Sequence, residues 1–549
     1  MRKHTFVMAV CLLYLVSGLA GTVSAEHTQV VETTNITYIN GDWLINDSQN
    51  RTNETIVLTG NLVVGFGGNL TFRNVTLMMN STSDGQYQIE VQNGGTMNIL
   101  DLDDDNTTTT DASNITSYNP NYEYIFRVRD GASFIMNNSE LHECGYGPFL
   151  SLDNYGLYIQ TSNAILRYNF ISQCYYGIIL YNSDAILSNN TIEWCDTGIM
   201  ATAWSNGTIE NNIISWSNTY GIWVHGVNNI NPQPSNPLVK NNYIMKTGRD
   251  VLNKGVGIQI LNSCRPIIRN TTVDDWGEDG MFLFSNSAPT IDNIVLDGKL
   301  GNYGIVGGGS NNWVNITNGT ISNCMINEMA LTETYVMLTN VSFDPSEIAF
   351  GDSVSNLTAH WFLHTYINDT KNNPILNVTI RIYDNSNGTY DWNFTTGTNG
   401  RVDWAVLREY YQTQSTLIDY SPYNITVSKP GYSTGYAEIE MNQSRYISFT
   451  LQDIQPPEIN HTPVASANIG QPINITANIT DNAVVDAVYL NYTGVNSTNY
   501  NVSMNKWNGN WSCEIPGQSN KEFVDYFIWC NDTSGNANMT NVYQTKFKM

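Results

Sequence analysis

The sequence predicts an all-β protein: a long parallel β-helix followed by two small β-sandwiches. Three observations predict it. One motif recurs seven times, from Tyr155-Gly-Leu-Tyr-Ile to Tyr303-Gly-Ile-Val-Gly, with its glycine at 156, 177, 198, 221, 257, 280 and 304. A second motif inside the units, apolar-any-Asn, sets Asn74, Asn138, Asn189, Asn211, Asn241, Asn270, Asn293 and Asn318 in a column that only Leu166-Arg-Tyr168 breaks. From about Ser346 the repeat stops, yet β-favouring runs separated by turns continue to the end.

Repeats of this period mean stacked units. The glycine steps are 21, 21, 23, 36, 23 and 24 residues, so one unit carries a long insertion. A period near 22 without a 3.6-residue apolar rhythm suits a coil of three short strands and excludes a helical solenoid. Asn tolerates left-handed backbone, so its column marks one bend of every coil. Stacked coils set like over like at about 4.8 Å, and none can bury its apolar side chains alone. The pattern resembles the right-handed β-helix repeats of pectin-lyase-like and NosD-type periplasmic proteins, over roughly residues 30 to 345. The resemblance implies a right-handed fold. No residue role is carried over, because fold does not carry chemistry.

In chain order, residues 1–25 read as a secretory signal: Arg2 and Lys3, an apolar run from Phe6 to Ala20, then the small-residue site Val23-Ser24-Ala25. Residues 26–345 are the β-helix. Its first coils, such as Leu62-Val-Val-Gly-Phe-Gly-Gly-Asn-Leu-Thr-Phe, look like the cap a solenoid needs. Residues 346–453 alternate as strands around an Asn399-Gly400 turn. With Asn373-Pro374 and Lys429-Pro-Gly-Tyr432 they resemble the carboxypeptidase-regulatory or transthyretin-like sandwich of surface proteins. After the stiff Gln455-Pro-Pro, residues 454–549 have the size and strand pattern of an immunoglobulin or fibronectin-like sandwich. Cys513 and Cys530 in this exported unit are expected to form a disulfide.

The net charge is −25, which argues against general nucleic-acid binding. Asn-x-Ser/Thr sequons recur roughly thirty times, at Asn35, Asn69, Asn189, Asn270, Asn377, Asn474 and Asn531 among others. Turn-rich β sequence generates some of these by chance. The density resembles archaeal surface proteins and leads us to expect a secreted or cell-surface glycoprotein. The acidic turn Asp101, Asp103, Asp104, Asp105 matches no calcium loop and reads as solvated, though Ca2+ is the cation its carboxylates would suit. Cys144, Cys174, Cys195 and Cys324 share one repeat position and read as free core fillers, with Cys264 outside the column.

For chemistry, the chain lacks the Gly-His-Gly, Asn-Thr-Asp and Arg-Ile-Lys sets of polygalacturonase-like hydrolases. One acidic constellation lies within the coils: Asp274, Asp275, Glu278 and Asp279. Paired carboxylates suit glycoside hydrolysis, so a polysaccharide-active enzyme is the alternative. A non-catalytic envelope protein is the first reading, acting in structure, adhesion or polysaccharide binding. Residues one and three after each repeat glycine should point inward, leaving positions two and four outward. These include Tyr158, Tyr181, Trp223, His225, Phe282 and Phe284, an aromatic row where polar residues belong. The row is expected to bind a polysaccharide or envelope glycan. Lys240, Lys246, Arg249 and Lys254 are expected beside it as a basic loop. Cover by a loop or by the first sandwich is the competing expectation.

Overall fold

A computed structural model describes residues 35–105, 110–147, 151–227, 233–248, 254–384, 391–494, 497–519 and 523–548. The signal segment and Arg249 lie outside the described residues. Nearly all the regular structure is strand. Residues 35–360 wind into a parallel β-helix. Each coil gives one strand to a thirteen-stranded sheet, running from Trp43–Ile45 to Ile348–Phe350, and two short strands to a second, longer sheet. In Ile267–Asp274, Thr290–Asp297 and Asn312–Ser322 those two short strands merge through the bend.

The Asn column stands at that bend. All eight predicted Asn, and Tyr168 in the broken copy, have φ between +46° and +58°. Along part of the column the side chains form a ladder: Asn241 donates to Asn211 (3.1 Å), Asn270 to Asn241 (3.1 Å) and Asn293 to Asn270 (2.9 Å). Asn138 turns instead to the Asp101 carboxylate (3.0 Å).

The core is a stack of like on like. Ile178, Ile199, Ile222, Ile258, Met281, Ile305 and Met329 follow in register up the thirteen-stranded sheet. All seven are buried. Under the repeat glycines lies the cysteine column: Cys195 near Gly177 and Cys324 near Gly304, with Ser217, Thr247 and Trp276 in the same place elsewhere. Cys144, Cys174 and Cys195 are buried free thiols, and Cys324 is half-buried. Cys264 has a different duty. It stands in a buried hydroxyl ladder, where Ser183 N donates to Ser205 and Ser205 N to Ser235. Ser235 N then donates to Cys264 Sγ at 3.3 Å.

The rod does not end at its last repeat. The strand Asn356–Asp369 pairs parallel with the last coil over Asn356 to His360. It then pairs with Arg401–Thr413 and Arg445–Leu451. One strand therefore belongs to both the rod and the first sandwich. The facing sheet holds Asp391–Thr395, Thr379–Asp384, Tyr423–Ser428 and Gly435–Ile439 in that order. Leu407, Ile380, Ile425 and Val427 fill the space between.

The second sandwich packs Ile473–Thr480 and Asn510–Ile515 against Val485–Thr493 and Phe523–Asp532. The expected disulfide is absent: Cys513 and Cys530 are both free. Cys513 lies opposite Ile475 in one sheet and Cys530 opposite Val488 in the other.

Candidate functional site

The thirteen-stranded sheet carries the predicted aromatic row on its outer face, and the row divides in two. Tyr158, Ile179 and Met200 are buried in a small outer cluster with Tyr176. Leu152, Tyr155, Tyr175, Tyr181 and Trp223 pack against it. Tyr158 is only 5% exposed, so the first coils offer no open platform there. Further along, Trp223, His225, Leu261 and Phe282 are half-buried, and Phe284 is 38% exposed. The Phe282 and Phe284 rings lie nearly parallel, 12° apart with centroids at 6.3 Å.

Two contributors lie outside the predicted row. Tyr176 and Tyr220 precede repeat glycines, and strict alternation would turn them inward. They point outward because the glycine itself faces the core: a Cβ at Gly177 would meet Ile192 Cγ2 at 2.8 Å. Their rings meet Trp223 at 6.4 and 4.9 Å. Gln259, a position-two residue expected to face outward, lies beside Trp223 in register and is 8% exposed. Two buried polar atoms here have no protein partner: Trp223 Nε1, a donor, and Gln259 Oε1, an acceptor. His225 completes the row, 5.2 Å from Trp223 ring to ring, near the Thr202 hydroxyl and the Asn262 amide. Burial lowers its pKa, which favours the neutral imidazole.

Lys240 and Lys246 of the predicted basic loop are not neighbours of this face. Lys240 belongs to the long sheet, on another side of the coil, and pairs with Glu210 at 2.6 Å. Lys246 lies over the Trp216 ring at 4.3 Å, and Trp216 stacks on Trp194 at 4.8 Å. Adjacency in sequence misled because each coil turns through three directions. Lys254 is exposed just ahead of the face strand Val256–Leu261.

The four candidate carboxylates are dispersed. Asp274 is held by Tyr243 Oη and Lys299 Nζ, both at 2.8 Å. Asp275 occupies a left-handed bend at φ +57°. Glu278 is exposed, while Asp279 is buried at the edge of the aromatic face. Burial, and then the Glu278 charge, push Asp279 up to about 7. In the acidic turn, Asp101, Asp103 and Asp111 each bring an oxygen within 4.8 Å of the others. Asp104 instead takes Arg73 at 3.0 Å.

Two family models match the chain: the right handed beta helix region over residues 176–343, and the periplasmic copper-binding protein NosD over residues 89–244. With the coil geometry above, they make this a right-handed β-helix repeat protein. Copper binding is a statement about the second family. No curated protein matches the chain. Among solved structures, a tetra-tandem repeat from the extending region of a large adhesion protein is similar at 16% identity and a TM-score of 0.17. The match covers 34% of this chain and 49% of that one, so the chain spans about half the length of that structure. A chimeric titin Z1Z2 tandem functionalized with a fibronectin GRGDS peptide is similar at 12% identity and a TM-score of 0.13, over 34% of this chain and 94% of that one. Among the described residues, no helix is long and apolar enough to cross a membrane.

Proposed function

We propose that this chain is a non-catalytic rod of the cell surface or periplasm that binds a polysaccharide along the open half of its aromatic face. The observation that carries the reading is the pair of unpartnered atoms, Trp223 Nε1 and Gln259 Oε1, on residues paired in register among half-buried rings. A buried polar group without a partner costs about 1–3 kcal/mol. Sugar hydroxyls both donate and accept, and Phe282 and Phe284 offer apolar area for a pyranose C–H face. Glycosylation at exposed sequons such as Asn69 and Asn474, and an archaeal envelope as the setting, belong to the same reading.

A second reading rests on Asp279. A carboxyl held near 7 beside an exposed Glu278 has the character of a general acid, and it lies on the same face. One experiment separates the two. The purified chain and its Trp223→Ala/Phe282→Ala form are applied to an array of acidic and neutral polysaccharides, and the supernatants are assayed for new reducing ends. Binding that falls at least ~10-fold in the double variant, with no reducing ends released, supports the rod. Equal binding by both proteins, or none by either, overturns it. Reducing ends that vanish in Asp279→Asn would make the chain a hydrolase.

A further inference from the structure

A different cluster of carboxylates lies where the two sandwiches meet. Asp453 follows the last strand of the first sandwich, Arg445–Leu451. Asp481 follows Ile473–Thr480 in one sheet of the second sandwich, and Asp532 ends Phe523–Asp532 in the other. Each brings a carboxylate oxygen within 4.8 Å of the other two. Asp453 is 4% exposed and Asp532 1%.

The polar groups around these residues fix the carboxylates without neutralising them. Asp453 Oδ1 accepts from Asn482 Nδ2 (2.8 Å) and Gln455 N (3.1 Å). Asp532 Oδ1 accepts from Ser534 N and Asn536 N, both at 2.8 Å, and its Oδ2 from Asn536 Nδ2 at 2.8 Å. Asp481 Oδ1 takes Asn482 N at 2.9 Å. Asp453 Oδ2 and Asp481 Oδ2 are buried with no partner at all. The charges acting on Asp481 are those of Asp453 and Asp532. Three clustered carboxylates, two of them buried and one half-buried, repel one another and favour a counter-charge. Asp453 and Asn482 also line a cleft of about 430 Å³ with Thr533, Ser534, Tyr432, Lys371 and Lys429.

We propose that Asp453, Asp481 and Asp532 form a calcium site that locks the second sandwich onto the first. An all-oxygen donor set with several carboxylates suits a hard divalent cation, and Ca2+ accepts the irregular geometry that Mg2+ resists. The site takes one ligand from the connecting segment and one from each sheet of the second sandwich. Filling it would reinforce the hydrogen bonds that already tie the second sandwich to the connecting segment, Asn482 Nδ2 to Asp453 Oδ1 (2.8 Å) and Asn536 Nδ2 to Asp453 O (3.1 Å).

Calcium titration of the metal-free full chain by calorimetry tests this, alongside Asp481→Asn and, for the acidic turn of the rod, Asp101→Asn. Saturable binding at ~10⁻⁴–10⁻³ M is expected, the range of extracellular modules. Asp481→Asn should weaken it at least ~10-fold and Asp101→Asn should leave this binding event in place. Cleavage of the Gln455–Pro457 linker by protease should slow with calcium in the wild-type chain and not in Asp481→Asn. Should Asp481→Asn fail to fold, Asp453→Asn carries the same expectation, since an amide can keep its Oδ1 contacts. Binding unchanged by these variants, binding lost with Asp101→Asn alone, or no saturable binding at all overturns the proposal.

Discussion

Two consecutive asparagines do different work at several bends. Asn211 adopts φ +55° and lies exposed on the outside ladder. Asn212 is 1% exposed and points into the coil. Its Oδ1 accepts both the backbone N–H (3.0 Å) and the side-chain amide (2.9 Å) of Asn190 one coil away. Its own amide reaches Leu187 O and Asn242 Oδ1, both at 3.1 Å. The inner ladder runs from Asn169 through Asn190 and Asn212 to Asn242. Asn212→Ala strands several buried groups and should cost roughly 2–4 kcal/mol. Asn211→Ala keeps the core and loses one exposed ladder bond from Asn241 besides its left-handed backbone preference, about 1–2 kcal/mol. Thermal unfolding should therefore rank Asn212→Ala well below Asn211→Ala; the reverse order would refute the inner ladder. The outer column was legible in the sequence because left-handed geometry selects Asn. The inner one was not, since a buried Asn and a turn-forming Asn carry the same letter.

At the scale of the coil strand, the repeat glycine is required by space. No left-handed φ is involved at Gly177, Gly198 or Gly221. A Cβ at Gly198 would meet Ile214 Cγ2 at 2.5 Å and Gly221 O at 2.6 Å, backbone and core that cannot move aside. At Gly308, in the strand Tyr303–Gly308, the nearest atom would be Phe284 Cδ2 at an ordinary 3.6 Å. Gly198→Ala should destabilise by roughly 1–3 kcal/mol through overpacking. Gly308→Ala should stay within about 0.5 kcal/mol. Melting curves of the two variants check this, and equal losses would sink the steric account. The motif's spacing disclosed the coils because its period is covalent. The direction of Tyr176 and Tyr220 was hidden because the inward glycine breaks the two-residue alternation on which a sequence reading depends. The row from Tyr158 to Phe284 was legible as outward, while its cover over the early coils comes from residues just ahead of the face strands, Leu152 and Tyr175, which the repeat alternation does not place.

Over the whole molecule, the rod and the first sandwich behave as one body. Tyr410, on the sandwich strand Arg401–Thr413, lies in the rod's own core cluster with Leu357 and Ala359. Ser444 Oγ donates to Asn340 Oδ1 at 2.7 Å, and Asn340 donates to Asn318 at 2.7 Å, so the outer Asn ladder terminates on the sandwich. A solenoid end left bare exposes apolar side chains and an unpaired strand edge. The sandwich removes both at once by lending a strand that starts in the rod's sheet and ends in its own. A chain truncated after Asp453 keeps this cap and should remain folded and in the same association state as the full chain. One truncated after Pro345 loses the pairing of Tyr335 through Thr339 with Asn356 through His360 and uncovers Leu338 and Val341. It should associate or precipitate, and its thermal midpoint should fall by many degrees. Light scattering and calorimetry on the two truncations decide the point. If the shorter chain is a monomer that melts with the longer one, the shared strand is a connection between independent units and not a cap.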